Sequence, residues 1–289
     1  MRIAWIGLGT MGGPMAGHLL AAGHDVHVHN RTRSREQPLV EAGATAADSP
    51  SAAAEGADLV FTCVSDSPDL EAVVLGPDGA LAGMRSGAVL VDCSTVSPAI
   101  TRTIAEALAA KGCGAVDAPV SGGSEGARKG TLTAFVGGDD AHVAAARPAL
   151  EAFSGSITHL GPSGAGQAGK AVNQVLIAGT YAALGEGLAL AEREGLPLEE
   201  LVAALSGGAA GSWILANRSK NVIANEYPLG FRIALHLKDL KIALGEADRH
   251  GLAMAVTRLV AQQEEELVAG GYGDDDNSAL ARVAKGELG

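Results

Sequence analysis

The chain has 289 residues, of which 47% are hydrophobic, so it can fold around a sizeable core and is not a disordered chain. Aromatic residues make up only 3% of it, so we expect a core of Ala, Val, Leu and Ile, as in helices packed on a parallel sheet. The 33 Asp and Glu against 21 Lys and Arg give a net charge of −12, which disfavours a nucleic-acid partner because binding to a phosphate backbone relies on a basic surface.

Apolar runs of strand length alternate with helical patterns through the first half of the chain. The predicted strands are residues 2–6, 26–29, 59–64, 89–93, 115–118, 132–136 and 157–160, and the predicted helices among them are residues 15–22, 51–55, 70–74 and 99–110. Ser97-Pro98 supplies an N-cap and a first-turn proline for the last of these helices. This alternation is typical of an α/β fold with a Rossmann-type, doubly wound parallel sheet.

The pattern changes after Gly161-Pro162, where the strand signals stop. The predicted helices that follow are residues 167–194, 198–205, 213–222, 231–250, 253–268 and 278–284. We therefore predict a Rossmann-type domain over residues 1–162 and an all-α domain over residues 163–289, joined by a long helix.

A glycine pattern lies where the first strand meets the first helix. Gly7-Leu8-Gly9-Thr10-Met11-Gly12 follows a predicted strand and opens a helix, which is the context that the dinucleotide fingerprint G-x-G-x-x-G requires. The first glycine allows the tight turn, the second lets the backbone approach the pyrophosphate, and the third lets helix and strand pack closely. A glycine-rich turn without a ligand is the alternative, but position and flanks favour a dinucleotide.

The end of the second strand indicates which dinucleotide binds. NAD-binding proteins usually have Asp or Glu there, whereas this chain has Asn30-Arg31-Thr32, and Asp25 lies at the opposite end of the strand. Arg31 is placed to pair with a 2′-phosphate, unless it is only a solvated loop residue. We predict that NADP(H) is preferred and that NAD(H) is the alternative.

No metal site is predicted. Cys63, Cys93 and Cys113 are far apart and odd in number, which fits neither a disulfide framework nor a zinc site and indicates a reducing, cytoplasmic location. His27 and His29 share a strand face, but the sequence offers no third ligand beside them.

Two apolar stretches resemble membrane segments. The uncharged run at residues 171–185 has 15 residues, fewer than the ~20 that span a bilayer, and we interpret it as a buried helix. A signal peptide is the alternative for residues 1–22, but regularly spaced glycines interrupt that run. We expect no membrane partner.

Four motifs in order give the chain a family resemblance. They are IGLGTMGGP at residues 6–14, DAPVSGG at 117–123 with Gly130-Thr131-Leu132, GAGQAGK at 164–170, and Lys238-Asp239-Leu240. Over nearly its whole length the chain resembles the β-hydroxyacid dehydrogenases, which include 3-hydroxyisobutyrate dehydrogenases, tartronate semialdehyde reductases and glyoxylate/succinic semialdehyde reductases. The resemblance implies an NAD(P)-dependent oxidoreductase that interconverts a small β-hydroxyacid and its semialdehyde or keto acid by hydride transfer.

Lys170 is the candidate for the chemistry. It opens the long predicted helix, and Asn173 and Gln174 follow on the same face. Such polar side chains are costly to bury on an aliphatic helix without a purpose, although a lysine reaching solvent from a helix start is the alternative. The resemblance implies that Lys170 is the general acid/base. Many relatives have two asparagines where this chain has Asn-Gln, a departure that tartronate semialdehyde reductases share.

The remaining site residues follow strands or lie on the last helices. Ser121, Gly122 and Gly123 leave a strand in a glycine-rich turn, where hydroxyl and backbone donors could hold a substrate carboxylate; a merely structural turn is the alternative. The further cofactor candidates are Val64, Ser65, Thr95 and, by resemblance, Lys238. The resemblance implies that Asp239 helps to hold that lysine, and Asp239 is also a candidate substrate-binding residue. Trp213 and Phe231 are candidate walls of the substrate pocket, with core packing as the alternative.

Several other functions share parts of this pattern. The DAPVSGG turn and the Asn173-Gln174 pair favour the tartronate semialdehyde or hydroxyisobutyrate type, whereas Asn30-Arg31-Thr32 is more like the glyoxylate/succinic semialdehyde reductases. Imine reductases share the fold but generally lack the lysine, and 6-phosphogluconate dehydrogenase is considerably longer. A nucleotide-binding module without turnover is the non-enzymatic alternative. The apolar helix after Ala171 predicts a homodimer or homotetramer, with a small anionic substrate as the other partner.

Overall fold

Residues 1–287 are described by a computed structural model, in which the chain divides into two units, Met1–Lys170 and Ala171–Gly289. Unit 1 contains the sheet and its flanking helices, and unit 2 is helical. Helix α9, Ala165–Arg193, contains the division. The predicted boundary between residues 162 and 163 lies just before this helix.

Nine strands form one sheet in unit 1, in the order β3-β2-β1-β4-β5-β6-β8-β7, with β9 also paired to β8. Their bounds are β1 Arg2–Ile6, β2 Asp25–His29, β3 Thr45–Ala46, β4 Leu59–Thr62, β5 Val89–Asp92, β6 Gly114–Asp117, β7 Val120–Ser121, β8 Leu132–Gly138 and β9 Ser154–Gly161. The first six strands of this order are parallel, which confirms the Rossmann-type doubly wound fold.

The expectation of a fully parallel sheet is wrong at the far edge. Strand β8 runs antiparallel to β6 and β7 and parallel to β9. Only residues 122–131 connect β7 to β8, which is shorter than the dozen or so residues that a parallel crossover requires. The sheet is therefore mixed.

Eight helices lie in unit 1 among residues 12–150. They are α1 Gly12–Ala21, α2 Gln37–Glu41, α3 Pro50–Ala54, α4 Ser67–Leu75, α5 Ala80–Gly83, α6 Pro98–Ala110, α7 Gly123–Lys129 and α8 Asp140–Leu150. The predicted cap of α6 is confirmed, since Ser97 Oγ accepts the Ile100 N–H at 3.2 Å and Pro98 begins the helix.

The core of unit 1 contains an aromatic cluster that the composition did not suggest. Trp5 stacks on Phe61 with ring centroids 5.1 Å apart, and Phe153 meets both edge-on at 5.9 and 6.1 Å. All three are fully buried among aliphatic side chains on one face of the sheet. Because each large ring buries much apolar surface, a few aromatics suffice to fill the space under the central strands.

Unit 2 is built around the second part of α9. The helices that follow are α10 Leu198–Ser206, α11 Trp213–Ala224, α12 Ile233–Arg249, α13 Ala255–Ala269 and α14 Ala281–Lys285. At 29 residues α9 is long and apolar enough to cross a membrane by length and composition. Its Ala178, Tyr181, Leu184 and Leu188 are buried in the core of unit 2, so packing within that unit accounts for part of its apolar character. Val172, Leu176 and Leu190 are exposed, so the expectation of a buried helix holds for one face only.

Candidate active site

The turn between β1 and α1 fits a dinucleotide. Gly7 has a φ of +97°, and a Cβ there would lie 2.3 Å from the Cys63 carbonyl oxygen. A Cβ on Gly12 would lie 2.0 Å from the Gly7 carbonyl oxygen, so α1 approaches the strand as closely as backbone allows. A Cβ on Gly9 would meet nothing within 4 Å. Open backbone beside the start of a ten-residue helix suits a pyrophosphate.

Asn30, directly after β2, holds this turn in place. Its Oδ1 accepts the Leu8 N–H at 2.8 Å, and its Nδ2 donates to the Thr32 carbonyl oxygen at 2.8 Å. Thr10 and Met11 lead into α1, with Met11 at its N-cap. The amide of Asn30 therefore shapes the loop that the sequence predicted to bind the cofactor.

Glu36 was missed by reasoning from the sequence. It is buried, its Oε1 accepts the Asn30 N–H at 2.8 Å, and Arg33 Nη1 lies 3.2 Å from the same oxygen. The sequence has no Asp or Glu directly at the end of β2, but the Glu36 carboxylate lies there in the structure because the chain turns back at residues 33–35. Its charge is offset by Arg33.

Arg31 points away from this cluster. Its side chain is 87% exposed, and its Nη1 lies 3.3 Å from Asp69 Oδ1 in the first turn of α4. An exposed ion pair of this kind contributes little to stability because water and salt screen it. Arg31 can therefore exchange its partner at small cost.

The loops after β4 and β5 meet at the carboxyl edge of the parallel strands. Ser94 Oγ accepts the Val64 N–H at 2.9 Å, which ties the two loops together. Ser65 and Thr95, the other predicted residues here, lie in the same two loops. Open sheets bind ligands at this edge.

Asp117, the last residue of β6, caps the start of helix α9. Its Oδ1 accepts the Gly164 N–H at 2.8 Å and its Oδ2 accepts the Gln167 N–H at 2.9 Å. Burial raises the pKa of this carboxyl, while the backbone donors oppose that shift. The long helix therefore begins on a buried carboxylate at the carboxyl edge of the sheet.

A second buried carboxylate, Asp92 at the end of β5, lies in the same network. Its Oδ1 accepts from Thr62 Oγ1 at 2.8 Å and from the Ser94 N–H at 3.0 Å. Gln167 Nε2 lies 3.4 Å from the other oxygen and donates to the Ser94 carbonyl oxygen at 2.8 Å, while Gln167 Oε1 accepts the Val96 N–H at 3.1 Å. Burial raises the pKa of Asp92 to about 6.

The glycines of GAGQAGK allow α9 to dock closely. A Cβ on Gly166 would lie 2.5 Å from the Phe135 carbonyl oxygen, and one on Gly169 would lie 2.4 Å from Leu160 Cδ1. A side chain at Gly166 would force the helix away from the sheet because its neighbour is backbone, whereas one at Gly169 would displace the Leu160 side chain. The motif is thus explained by packing as well as by its place beside Lys170.

Lys170 lies three residues after Gln167, at the end of unit 1, and only 6% of it is exposed. Lysine is almost never buried to this degree unless it is paired or functional. This burial argues against a lysine that merely reaches solvent from the start of the helix.

The predicted turn at Ser121-Gly122-Gly123 joins two short elements. Ser121 ends β7 and pairs with Thr133 of β8. Gly122 and Gly123 have φ of +127° and +60°, which glycine adopts without strain, and α7 begins at the second of them. The missed elements β7 and α7 are short, and so gave little periodic signal.

Unit 2 brings together four of the residues predicted from the sequence. Gln174 Nε2 donates to Asp239 Oδ2 at 2.7 Å, and Lys238 Nζ lies 3.0 Å from Asp239 Oδ1. Asn173 Nδ2 donates to Gln174 Oε1 at 2.8 Å. The expectation that Asp239 holds Lys238 matches this geometry.

The two aromatic candidates of unit 2 each contact a basic side chain of the same unit. Trp213 is 56% exposed, with the Arg218 guanidinium 4.8 Å from its ring. Phe231 meets the His236 ring edge-on at 6.2 Å. Their role as pocket walls stays a prediction.

Metal ligands are not clustered in residues 1–287: no group of three or more His, Cys, Asp or Glu side chains is placed there to hold an ion.

Comparison with known proteins places these features in a family. Residues 2–161 match the NAD binding domain of 6-phosphogluconate dehydrogenase, and residues 164–284 match the NAD-binding domain of NADP-dependent 3-hydroxyisobutyrate dehydrogenase. The chain belongs to the β-hydroxyacid dehydrogenase family. It is therefore an NAD(P)-dependent oxidoreductase of the dehydrogenase and reductase class, and its cofactor is a nicotinamide dinucleotide.

Individual relatives of this β-hydroxyacid dehydrogenase cover most of its length. The 2-hydroxy-3-oxopropionate reductase of Escherichia coli is 36% identical over 98% of this chain and 97% of its own. The 3-hydroxyisobutyrate dehydrogenase of Pseudomonas aeruginosa is 42% identical over 85% of each chain. The solved 3-hydroxyisobutyrate dehydrogenase of Mycobacterium tuberculosis, with L-serine, has a TM-score of 0.88 and 30% identity over 97% of this chain and 98% of its own.

Proposed function

We propose that this dehydrogenase interconverts a small β-hydroxyacid and its semialdehyde, of the hydroxyisobutyrate or tartronate semialdehyde type, with Lys170 as general acid/base and NADPH as the preferred cofactor. The observation that carries the proposal is the burial of Lys170 on α9, one helical turn beyond side chains anchored at the ligand-binding edge of the sheet. The two relatives named above, which act on substrates of these two types by name, support the substrate class.

Each residue then has a chemical task. The bound nicotinamide supplies or accepts the hydride. In oxidation the Lys170 amine takes the proton of the substrate hydroxyl, and in reduction its ammonium form donates a proton to the developing alkoxide. Ser121 and the backbone N–H groups of Gly122 and Gly123 bind the substrate carboxylate. Asn173 orients the substrate oxygen from the same helix, and the buried Gln174 amide, which bonds Asn173 and Asp239, holds Asn173 in place.

The NADPH preference rests on charge at the end of β2. Arg31 is exposed, and its described ion-pair partner is Asp69, so it is available to a 2′-phosphate. The nearby Glu36 carboxylate is offset by Arg33 and the Asn30 N–H, which reduces its repulsion of a phosphate.

We also propose a cytoplasmic homodimer or homotetramer that contacts neither membrane nor nucleic acid. Val172, Leu176 and Leu190 on α9 are 61%, 67% and 64% exposed. Val256 at the start of α13 is exposed beside Gly179 and extends this apolar surface. A second copy of the chain would cover it, since exposed apolar patches mark association sites. Three free cysteines suit a reducing compartment.

A substrate panel tests the activity. Small hydroxyacids and semialdehydes, including hydroxyisobutyrate, tartronate semialdehyde, glyoxylate and succinic semialdehyde, are assayed with NADPH and NADH at the nicotinamide absorbance. We expect the highest kcat/KM with a three- or four-carbon β-hydroxyacid pair and NADPH. Highest activity with glyoxylate or succinic semialdehyde would favour the alternative substrate class.

Lys170→Ala tests the proposed acid/base. We expect kcat to fall about 10²- to 10⁴-fold, the usual contribution of a positioned acid or base, while cofactor binding measured by nicotinamide fluorescence is retained. Lys220→Ala, which removes an exposed lysine of α11, is the control. Turnover of Lys170→Ala at the wild-type rate would refute the assignment.

A further inference from the structure

Gln167 is buried and uses both ends of its side-chain amide. Oε1 accepts the Val96 N–H at 3.1 Å, and Nε2 donates to the Ser94 carbonyl oxygen at 2.8 Å and lies 3.4 Å from Asp92 Oδ2. These partners all belong to the end of β5 and the loop after it. The side chain therefore fastens the first turn of α9 to the loop that contains Thr95.

We propose that Gln167 is a positioning residue, which fixes the distance between the Ser94–Val96 loop and the helical turn that carries Lys170. The inference rests on the proposed role of Lys170. It assigns to Gln167 no contact with substrate or cofactor. Gln167 acts on Lys170 through the backbone. Its side chain bonds the loop at residues 94–96, and Lys170 lies three residues further along the helix.

The backbone around Gln167 is rigid enough to transmit such an effect. Its own N–H donates to the Asp117 carboxylate, and Gly166 beside it lies so close to β8 that a Cβ there would be 2.5 Å from the Phe135 carbonyl oxygen. The first turn of α9 is thus held to β6 by the Asp117 carboxylate and packs against the backbone of β8. Among the described hydrogen bonds, the Gln167 side chain alone ties this turn to the β5 loop. Loss of that side chain would free the loop relative to the Lys170 turn.

Only a side chain with both a donor and an acceptor can bond the Ser94 carbonyl oxygen and the Val96 N–H from this position. Methionine has a similar length but offers neither bond, so it leaves the Val96 N–H and the Ser94 carbonyl oxygen unpaired. Glutamate keeps the acceptor and loses the donor when ionised, but regains it as a neutral carboxylic acid. Gln167→Met and Gln167→Glu therefore separate the hydrogen-bond pattern from the space that the side chain fills.

Protonation makes the second variant informative. The nearest charged group to the introduced carboxyl is Asp92 of β5, and Asp117 of β6 bonds the backbone of the same residue. Two basic groups are also near: Lys170 one turn along the helix, and Arg102 of α6 beside Gly164 at the start of the helix. Burial beside Asp92 favours the neutral form of the introduced carboxyl. The Gln167→Glu enzyme should then regain the wild-type hydrogen bonds as the pH falls.

The test is single-turnover kinetics of hydride transfer in the whole enzyme with saturating cofactor, between pH 5 and 8. We expect the rate constant of Gln167→Met to fall about 10- to 100-fold, as for a small misplacement of a catalytic group, with an undiminished reaction amplitude and cofactor affinity. The ratio of the Gln167→Glu rate constant to that of wild type should rise as the pH falls, whereas the Gln167→Met ratio should stay level.

Two further variants separate the positioning role of Gln167 from a loss of stability and from the role of Lys170. Val143→Ala removes buried apolar contact from α8 of the same unit and should lower Tm without changing the rate constant. A loss of amplitude at a wild-type rate constant in Gln167→Met, or a Gln167→Glu ratio that does not change with pH, would overturn the positioning role. Lys170→Met, measured in parallel, tests the proposed acid/base separately: its turnover at the wild-type rate would overturn that role whatever Gln167 does.

Discussion

Two buried clusters of acidic residues, one taken from each unit, hold their charges differently. In unit 1, Asp92 and Asp117 accept hydrogen bonds from neutral donors: backbone N–H groups, a threonine hydroxyl and the Gln167 amide. In unit 2, Asp239 lies 3.0 Å from Lys238, and Glu264 lies 2.6 Å from His236 Nδ1. Dipoles stabilise the first cluster, and basic side chains balance the second.

The difference decides what each cluster does. Burial raises the pKa of Asp92 and Asp117 in unit 1, and also that of Glu264 in unit 2. Neutral donors satisfy the oxygens of a carboxylate without matching its charge, so the geometry of the unit 1 carboxyls depends on many directed bonds. Such a cluster defines positions, as at the start of α9. A buried pair of acid and base instead joins two helices, and removal of one member leaves a buried charge without a partner, which destabilises the fold.

The largest effect is expected from the unit 2 pair. His236→Leu leaves the Glu264 carboxyl, which is buried between α12 and α13, without its basic partner. We expect the free energy of unfolding to fall by about 3 kcal/mol, measured by urea denaturation at pH 7. His250→Ala, at the exposed end of α12, is the control. A loss for His236→Leu no larger than for this control would show that the pair does not stabilise the unit.

A smaller effect is expected where the carboxylate has neutral partners. Asp117→Asn replaces one acceptor oxygen with an amide, so the Gly164 or the Gln167 N–H loses its partner. We expect a cost of about 1 to 3 kcal/mol, with faster hydrogen exchange of the amides at the start of α9. Asp139→Asn changes an exposed cap of α8 and should cost less. Unchanged exchange at residues 164–168 would contradict the capping role of Asp117.

Much of this fold could be predicted because its signals are local. The strand and helix periodicities of unit 1, the glycines of the β1–α1 turn and the Ser97-Pro98 cap all act within a few residues of one another. The antiparallel edge could not be predicted in this way, since it depends on how short the connection to β8 is. The Trp5–Phe61–Phe153 cluster unites residues far apart in sequence.

The site was predictable only where a residue's chemistry stands out. A lysine, an asparagine and a glutamine on an apolar helix are visible in the sequence, and so is a Lys-Asp pair. Gln167, Asp92 and Glu36 are not, because their importance comes from partners between 6 and 75 residues away. A polar residue at the end of a buried strand, as at Asp92 and Asp117, was the available signal.

The pH dependence of stability tests the protonation of Asp92 in the unit 1 cluster. The pKa of Asp92 is about 6 in the folded protein against 3.8 in an unfolded chain, so folding favours its neutral form. Its contribution is full below pH 4 and is lost as the pH rises towards 6. Asp92→Asn keeps an acceptor oxygen for Thr62 and Ser94 and does not titrate. Relative to wild type it should gain about 2 kcal/mol between pH 4 and pH 7, measured by urea denaturation. A constant difference across that range would show that Asp92 is ionised in both states.

The smallest stability effect is expected at the exposed Arg31–Asp69 pair, which belongs to neither cluster. Removal of the carboxylate by Asp69→Asn should change the free energy of unfolding by less than about 0.5 kcal/mol, since both partners remain solvated.

Arg31→Ala should have an equally small effect on stability. It should raise the KM for NADPH about tenfold and leave the KM for NADH nearly unchanged, because only NADPH has a 2′-phosphate with which Arg31 can pair. Equal changes in the two KM values would assign Arg31 to the solvated surface. The comparison of the two variants separates loss of the cation from loss of its partner: if Asp69 restrains Arg31, Asp69→Asn should lower the KM for NADPH slightly.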